Sequence, residues 1–352
     1  MWERQAFPKW ERYACPVLGT SFWTSGRRAG HWKATVMWQW YNYVERSVPP
    51  AKQVLRVNLD ETAVCLHPDT GKGNVFITTR PVYRLQRWKT RTYFTHVAIV
   101  CDKMELQPHM PQIIIGNERT LLVRALAALR RDGPSNVVLV RQKSAWNNAA
   151  LMANIVGRIA AAVLPYRDTY QPILIMDVVS LHTRRVVLEA CRRHAVWPVF
   201  VPACTTPILQ PLDVHVFHLY KAALRRRYHE LLCGSPSAEL HVPEFLTCIY
   251  HALGAVIEGR DWSSAFDMCG LGRDQGHVAS HVLRDLDLVH VRVTADCPTM
   301  PELTRCFPRR AQIQLPLLLP PRPGVACGGA VERRVEPIAA RTPGRLRNGA
   351  LR

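Results

Sequence analysis

The sequence predicts an α/β fold: a sheet flanked by helices, followed by a helical C-terminal extension and a disordered tail. Three observations carry this. From Gln53 onward, short runs rich in β-branched and aromatic residues are separated by turn formers. After Asn147 the apolar spacing changes to the helical period, and strands then alternate with helices. Beyond Cys297 the chain carries nine prolines and five glycines with an excess of basic residues, a composition that cannot bury enough surface to offset the entropy of ordering.

Residues 1–50 hold Trp2, Trp10, Trp23, Trp32, Trp38 and Trp40 among many basic residues, without a clean helical or strand period. Two readings stand: a degraded DNA-binding region, or a loosely docked extension. The strand runs that follow are residues 53–60 (ending LRVNLD), 93–102 (YFTHVAIVCD), 112–116 (QIIIG) and 137–141 (VVLVR). Asp69-Thr70-Gly71 and Arg131-Asp132-Gly133-Pro134 supply turns between them. Leu151, Ile155, Ile159 and Val163 recur four apart, on one face of a helix that should end before Pro165. A buried strand at 172–177 (PILIMD), a polar-faced helix from Thr183 to His194 and a strand at 198–202 (PVFVP) come next. Strands and helices of these lengths in alternation imply crossover connections and a parallel segment. A helix then opens near Asp213, with Val214, Phe217, Leu224 and Tyr228 on its inward side and Lys221 as the polar exception. Residues 236–296 read as mostly helical. The organisation expected is therefore an extension at 1–50, a main domain at 51–235, a helical extension at 236–296 and a Pro/Arg-rich tail at 297–352.

Composition narrows the partners. A chain of 352 residues with 48% hydrophobic residues is of ordinary globular composition, and it has no uninterrupted apolar run of the roughly 20 residues that cross a bilayer. A soluble protein with no membrane partner is expected. The first fifteen residues mix charge with aromatics and lack the apolar core of a secretory signal. The eleven cysteines show no CxxC pair, so they are expected to be reduced thiols and not a zinc site. The formal charge of +19 and pI near 9.9 favour a polyanion, nucleic acid above all, because neutralising phosphates releases counterions. Arginine outnumbers lysine, which coding composition alone can produce, so charge does not settle the function.

The carboxylates are more telling. Asp60 closes one apolar strand, Asp177 closes another, and Asp213 opens a helix after Leu209-Gln210-Pro211-Leu212. Strand ends and helix starts of an α/β sheet converge on one crevice, so three acids can meet there. Any one of them alone is more often a cap than a ligand. Together with their surroundings they resemble the DDE endonuclease superfamily of pogo-type and mariner-type transposases. Asp60-Glu61-Thr62 matches the family's first motif. Asp177 followed four residues on by Leu181-His182 matches its second, and Gln210-Pro211-Leu212-Asp213 its third, with 35 residues between the last two acids. Ser144 to Asn148 is similar to the family's Trp-containing segment, and Trp262 to Leu271 to its C-terminal Trp and Gly segment. The resemblance spans about residues 51–272.

The resemblance implies an RNase H-like catalytic domain: a mixed five-stranded sheet, its first strands antiparallel and its later ones parallel. It implies metal-dependent DNA cleavage and strand transfer, with two Mg²⁺ or Mn²⁺ ions held by Asp60, Asp177 and Asp213, Asp60 bridging both. Oxygen-only ligands suit such ions. His182 would contact the phosphodiester or serve only as a helix cap. Glu61, adjacent to Asp60, points to the other side of its strand. Lys221, Arg225, Arg226 and Arg227 would contact DNA. A homodimer is compatible with this reading, as is a nuclear location in a eukaryotic cell and an intracellular one otherwise. One departure stands out: the family's Asn after the second acid is Val178, which cannot hydrogen-bond and predicts slow turnover. The alternative function is a domesticated or decayed DDE domain that binds nucleic acid without cutting it.

Overall fold

In the computed structural model the described residues are 21–65, 93–119, 121–234, 240–272, 280–286, 296–306 and 320. The Asp69-Thr70-Gly71 turn and most of the tail expected at 297–352 lie outside them.

Six strands form one sheet: β1 (Gln53–Cys65), β2 (Tyr93–Cys101), β3 (Gln112–Asn117), β4 (Val137–Gln142), β5 (Tyr170–Asp177) and β6 (Trp197–Val201), in the order β4-β3-β2-β1-β5-β6. β1, β2 and β3 pair antiparallel, whereas β5 runs parallel to β1 and β6 parallel to β5. These five strands have the RNase H-like arrangement. The sheet nevertheless has six strands instead of five: helix α2 (Val123–Arg131) carries the chain back so that β4 lies parallel to β3 at the edge.

Side chains alternate across a strand, so Arg56, Asn58, Asp60 and Thr62 share one face of β1 while Val57, Leu59 and Glu61 share the other. The face of Asp60 is covered by the helices that follow β6. After the short α5 (Thr206–Leu209) and a π-helical turn (Leu212–Val216) comes α6 (Phe217–Gly234), which buries Phe217, Tyr220, Ala223, Leu224 and Tyr228. Helix α7 (Val242–Ala252) packs on α6, with Phe245 against Phe94 of β2 and Tyr228 of α6. A second π-helical turn (Leu253–Glu258), α8 (Ser263–Met268) and α9 (Ser280–Asp285) continue the helical region expected there.

Helices α3 (Ala149–Val163) and α4 (Arg185–Arg193) pack against each other and flank β5 and β6. The Asn148 side chain caps α3 by accepting from the Leu151 N–H at 2.9 Å. Its buried stripe is Met152, Ile155, Val156, Ile159 and Val163, with Leu151 only half-buried. By length and composition the stretch Ala149–Tyr166 could cross a membrane; here its apolar stripe lies in the core.

Two regions differ from the sequence reading. Residues 21–46, which show no clean period, form helix α1 (Ser21–Arg46). Ala34, Val36, Met37, Trp38, Trp40, Tyr41 and Val44 are all buried, a band too broad to leave the narrow stripe that marks an amphipathic helix. Trp40 packs on Phe200 of β6 with ring centroids 6.2 Å apart, and the Trp38 indole donates to the Cys269 carbonyl at 3.1 Å. Gly270 is needed beside it: φ is 77°, and a Cβ there would strike the Trp38 ring. The second difference is α10 (Met300–Cys306), inside the stretch expected to be disordered. Thr299 starts it by donating its N–H and hydroxyl to Glu302, and Leu303 and Cys306 are buried.

Candidate active site

The three acids come from three elements that one register brings together. Asn58 of β1 lies beside Ile175 of β5 in the parallel ladder. Two residues further on, just past the last pair of this parallel ladder, Asp60 and Asp177 therefore stand at the same level and on the same face. β1 runs on to Cys65 against β2, so Asp60 lies within its strand and does not close it as the sequence suggested. Asp213 enters from above, in the π-helical turn that opens α6. Its turn is tied to the sheet twice: the Leu212 N–H donates to Asn58 Oδ1 at 2.9 Å, and Gln210 Nε2 approaches the Leu59 carbonyl at 3.5 Å. Asn58 Nδ2 in turn donates to the Ile175 carbonyl at 2.9 Å.

Electrostatics shows how closely the acids meet. Burial, and then the neighbouring Asp213 and Asp177 carboxylates, hold the Asp60 carboxyl well above the usual carboxylate range. Burial raises Asp213 too, against a hydrogen bond from Asp60 and the charge of Lys221. Asp60 and Asp213 thus each favour the protonated form more than a free carboxyl does. Asp60 Oδ1 also accepts from the Glu61 N–H at 2.7 Å.

Asp177 faces a different partner. His182 Nδ1 stands 2.7 Å from Asp177 Oδ1 and 3.1 Å from the Asp177 carbonyl oxygen. A carbonyl only accepts, so Nδ1 carries a proton. Nε2 faces Glu61 Oε1 at 3.8 Å, an electrostatic contact too long for a hydrogen bond. Burial disfavours the imidazolium, but Asp177 and Glu61 outweigh it and push His182 up to about 10. Glu61 points away from Asp60, as the strand alternation predicts, and accepts from Asn147 Nδ2 at 2.7 Å. His182 and Asn147 therefore form a layer behind the acids.

Among the described residues no group of three or more His, Cys, Asp or Glu is arranged to hold a metal ion as it stands. The chemistry of the donor set nonetheless fits a hard divalent cation. Three carboxylates converge, and His182 beside Asp177 and Lys221 beside Asp213 offset part of their repulsion. Such oxygens are what Mg²⁺ and Mn²⁺ prefer. Asp177 Oδ1 is buried against His182, which leaves Oδ2 as the oxygen available to an ion.

The four basic residues read from the sequence divide. Lys221 is half-buried, lies 5.5 Å over the Phe217 ring and feels both Asp213 and Asp60. Arg225 and Arg226 are exposed, and Arg225 is within electrostatic reach of Lys221. Arg227 pairs with Glu230 at 3.0 Å and lines a cleft with Leu129, Pro243 and Tyr250 instead. Val178 is buried in the apolar core and its N–H donates to the Val201 carbonyl at 3.2 Å. Sequence reading missed Asn58, and it noted Asn147 only as part of the Trp-containing segment, without a role. For Asn58 a signal was present, since a carboxamide inside the apolar run VLRVNL must find partners.

An RNase H-like sheet with acids from β1, the end of β5 and the turn before α6 gathered on one face is the class of protein this fold and site define. No family model matches the chain, and no curated protein matches it. Among solved structures it is similar to the Mos1 transposase paired-end complex with left transposon end, at 16% identity over 77% of this chain and 68% of that one, with a TM-score of 0.37. It is likewise similar to the Mos1 mariner paired end complex with Mn, at 13% identity over the same shares and a TM-score of 0.35. At TM-scores this low the likeness says nothing about chemistry, which the site itself must carry.

Proposed function

We propose that this chain is a transposase-like DNA endonuclease domain that cleaves and joins phosphodiesters with the help of divalent metal. The observation that supports it is the meeting of Asp60, Asp177 and Asp213 from β1, β5 and the turn before α6, close enough that burial and then the neighbouring acids raise Asp60 and Asp213. Structural acids are normally paired with bases; a like-charged triplet in which Asp60 and Asp177 are half-buried and Asp213 is open to solvent calls for a cation from outside. When bound, Mg²⁺ or Mn²⁺ would activate the attacking oxygen and stabilise the leaving one, with Asp60 and Asp213 as ligands and Asp177 offering Oδ2. Because burial and the neighbouring acids favour the protonated Asp60 carboxyl, which must be ionised to hold a cation, apparent affinity should rise with pH. His182 holds Asp177 in orientation through Nδ1, while Glu61, itself held by Asn147, faces His182 Nε2 from behind. Lys221 places one positive charge beside the acids, where a phosphate would lie, and Arg225 and Arg226 extend the basic surface along α6.

A second reading, DNA binding without cutting, is favoured by one observation: Asp177 is already engaged by a buried imidazolium. The two are separated by nicking of supercoiled plasmid in Mn²⁺ or Mg²⁺ by the purified chain and by Asp60→Asn. Metal-dependent nicking that Asp60→Asn lacks supports the enzyme. Equal nicking by both, or none by either alongside retained DNA binding, supports the second reading.

A further inference from the structure

Asn58 is fully buried, with hydrophobic Val57 and Leu59 on either side. A carboxamide in such a place costs stability unless both its ends are satisfied. Here both are, and each partner belongs to a different acid-bearing element. Nδ2 donates to Ile175, two residues before Asp177, and Oδ1 accepts from Leu212, one residue before Asp213, each at 2.9 Å. The orientation of the amide is fixed by chemistry, since a carbonyl faces one end and an N–H the other. Asn58 itself is two residues before Asp60, on the same strand face. The Leu212 N–H is moreover one of the donors that a helical start leaves without an intrahelical partner. Asn58 caps it from 154 residues away in the chain.

We propose that Asn58 is the positioning residue of the acid site: one amide fixes the strand end carrying Asp177 and the turn carrying Asp213 relative to the strand carrying Asp60. The inference rests on the reading of these acids as one site. Gln210, approaching the Leu59 carbonyl at 3.5 Å, is a weaker second tie. No other side chain bond among the described residues joins β1 both to β5 and to the turn. Placement matters to the proposed chemistry more than to the fold, because displacing a reacting group by about 1 Å can cost on the order of 100-fold in rate.

The test compares wild type with Asn58→Leu, which keeps the volume but neither hydrogen bond, and Asn58→Asp, which keeps the acceptor and drops the donor. Amide exchange at Leu212 should quicken about tenfold in Asn58→Leu, the size of one lost hydrogen bond. Exchange at Val214, which donates to the Gln210 carbonyl at 3.0 Å, should stay unchanged. In Asn58→Asp the Leu212 amide should stay protected. Single-turnover nicking at saturating Mn²⁺ should fall about 100-fold in both variants. Unchanged Leu212 exchange in Asn58→Leu overturns the proposal, as does wild-type nicking by either variant. Should Asn58→Leu fail to fold, Asn58→Asp decides through its nicking rate. If the wild type does not nick at all, the proposed function falls, and Leu212 exchange alone judges the clamp.

Discussion

Two ionic clusters sit four residues apart on one face of β1, the first buried and the second partly open to solvent, and they are built on opposite principles. At Arg56 the charges alternate. Its guanidinium donates to Asp102 Oδ2 at 2.8 Å and to the Tyr41 hydroxyl at 2.6 Å, with Glu45 at 3.5 Å, while its backbone N–H reaches Asp102 Oδ1 at 2.9 Å. Burial works against the charge, yet Tyr41, Asp102 and Glu45 hold the Arg56 side chain protonated. At Asp60 the neighbouring carboxylates are alike and burial adds to their repulsion, which the Glu61 N–H and His182 offset only in part. The first cluster is complete within the chain and locks α1 to the sheet. The second is incomplete, and that incompleteness is what marks it as a site.

The comparison can be broken most directly at Arg56. Arg56→Met should destabilise the protein by about 3–5 kcal/mol, because Asp102 is left buried without its counter-charge. Chemical denaturation would measure it, and a loss below about 1 kcal/mol would mean the cluster is not a structural lock.

Acid offers a second probe, through His96 on β2. Its ring accepts no solvent, Nε2 faces Gln112 Oε1 at 3.1 Å, and burial lowers it to about 4. A folded value below the unfolded 6.5 favours the neutral ring in the native state. Stability is then complete above pH 6.5 and is lost as pH falls toward 4, at up to about 1.4 kcal/mol per unit. Asp60 works the other way, since its raised carboxyl binds a proton more tightly when folded and gains stability as pH falls toward its unfolded value. Denaturation midpoints from pH 7 to 4 should drop in the wild type and drop less in His96→Gln.

Val178 sharpens the boundary between site and core. Val178→Asn should cost about 1–3 kcal/mol, because the amide would be buried among apolar side chains. A variant as stable as wild type that nicks faster would show instead that the position belongs to the site.

The smallest effect is expected at Asp60. Asp60→Asn should raise metal-free stability by about 1 kcal/mol, since it removes repulsion without removing a base pairing partner. It should abolish Mn²⁺-dependent nicking at the same time. Destabilisation by Asp60→Asn would argue that the acid is a structural element after all.

Much of this was legible in the sequence. All six strand runs were visible as β-branched segments, and the acids could be singled out because each followed an apolar run or opened a helix, although β1 continues past Asp60 to Cys65 where the sequence shows no such extension. The extra edge strand was visible as VVLVR but not countable against the five-stranded expectation, since pairing is a long-range property. Helix α1 was illegible for a physical reason: Trp38, Trp40 and Tyr41 are buried on adjoining faces, which erases the period. Asn58 was passed over because its partners are backbone groups of Ile175 and Leu212, which carry no sequence signal. The division among the basic residues of α6 could not be read either, because spacing alone does not reveal that Arg227 meets Glu230 while Lys221 meets the acids.

The π-helical turn at Leu212–Val216 has a consequence for everything downstream. An α-helix advances by about 100° per residue, and a π turn takes in one more residue before its hydrogen bond closes. The turn therefore resets the angular phase of α6 the way a shim offsets a screw thread. With this offset Lys221 faces back toward Asp213, and Tyr220 lies against His96, with ring centroids 5.2 Å apart. Removing one residue from the turn would swing the whole helix by roughly a quarter revolution, carrying the lysine off the acids and the tyrosine out of its slot together. Cation placement and core packing on this face are thus geared to each other, and neither can drift in sequence length without the other.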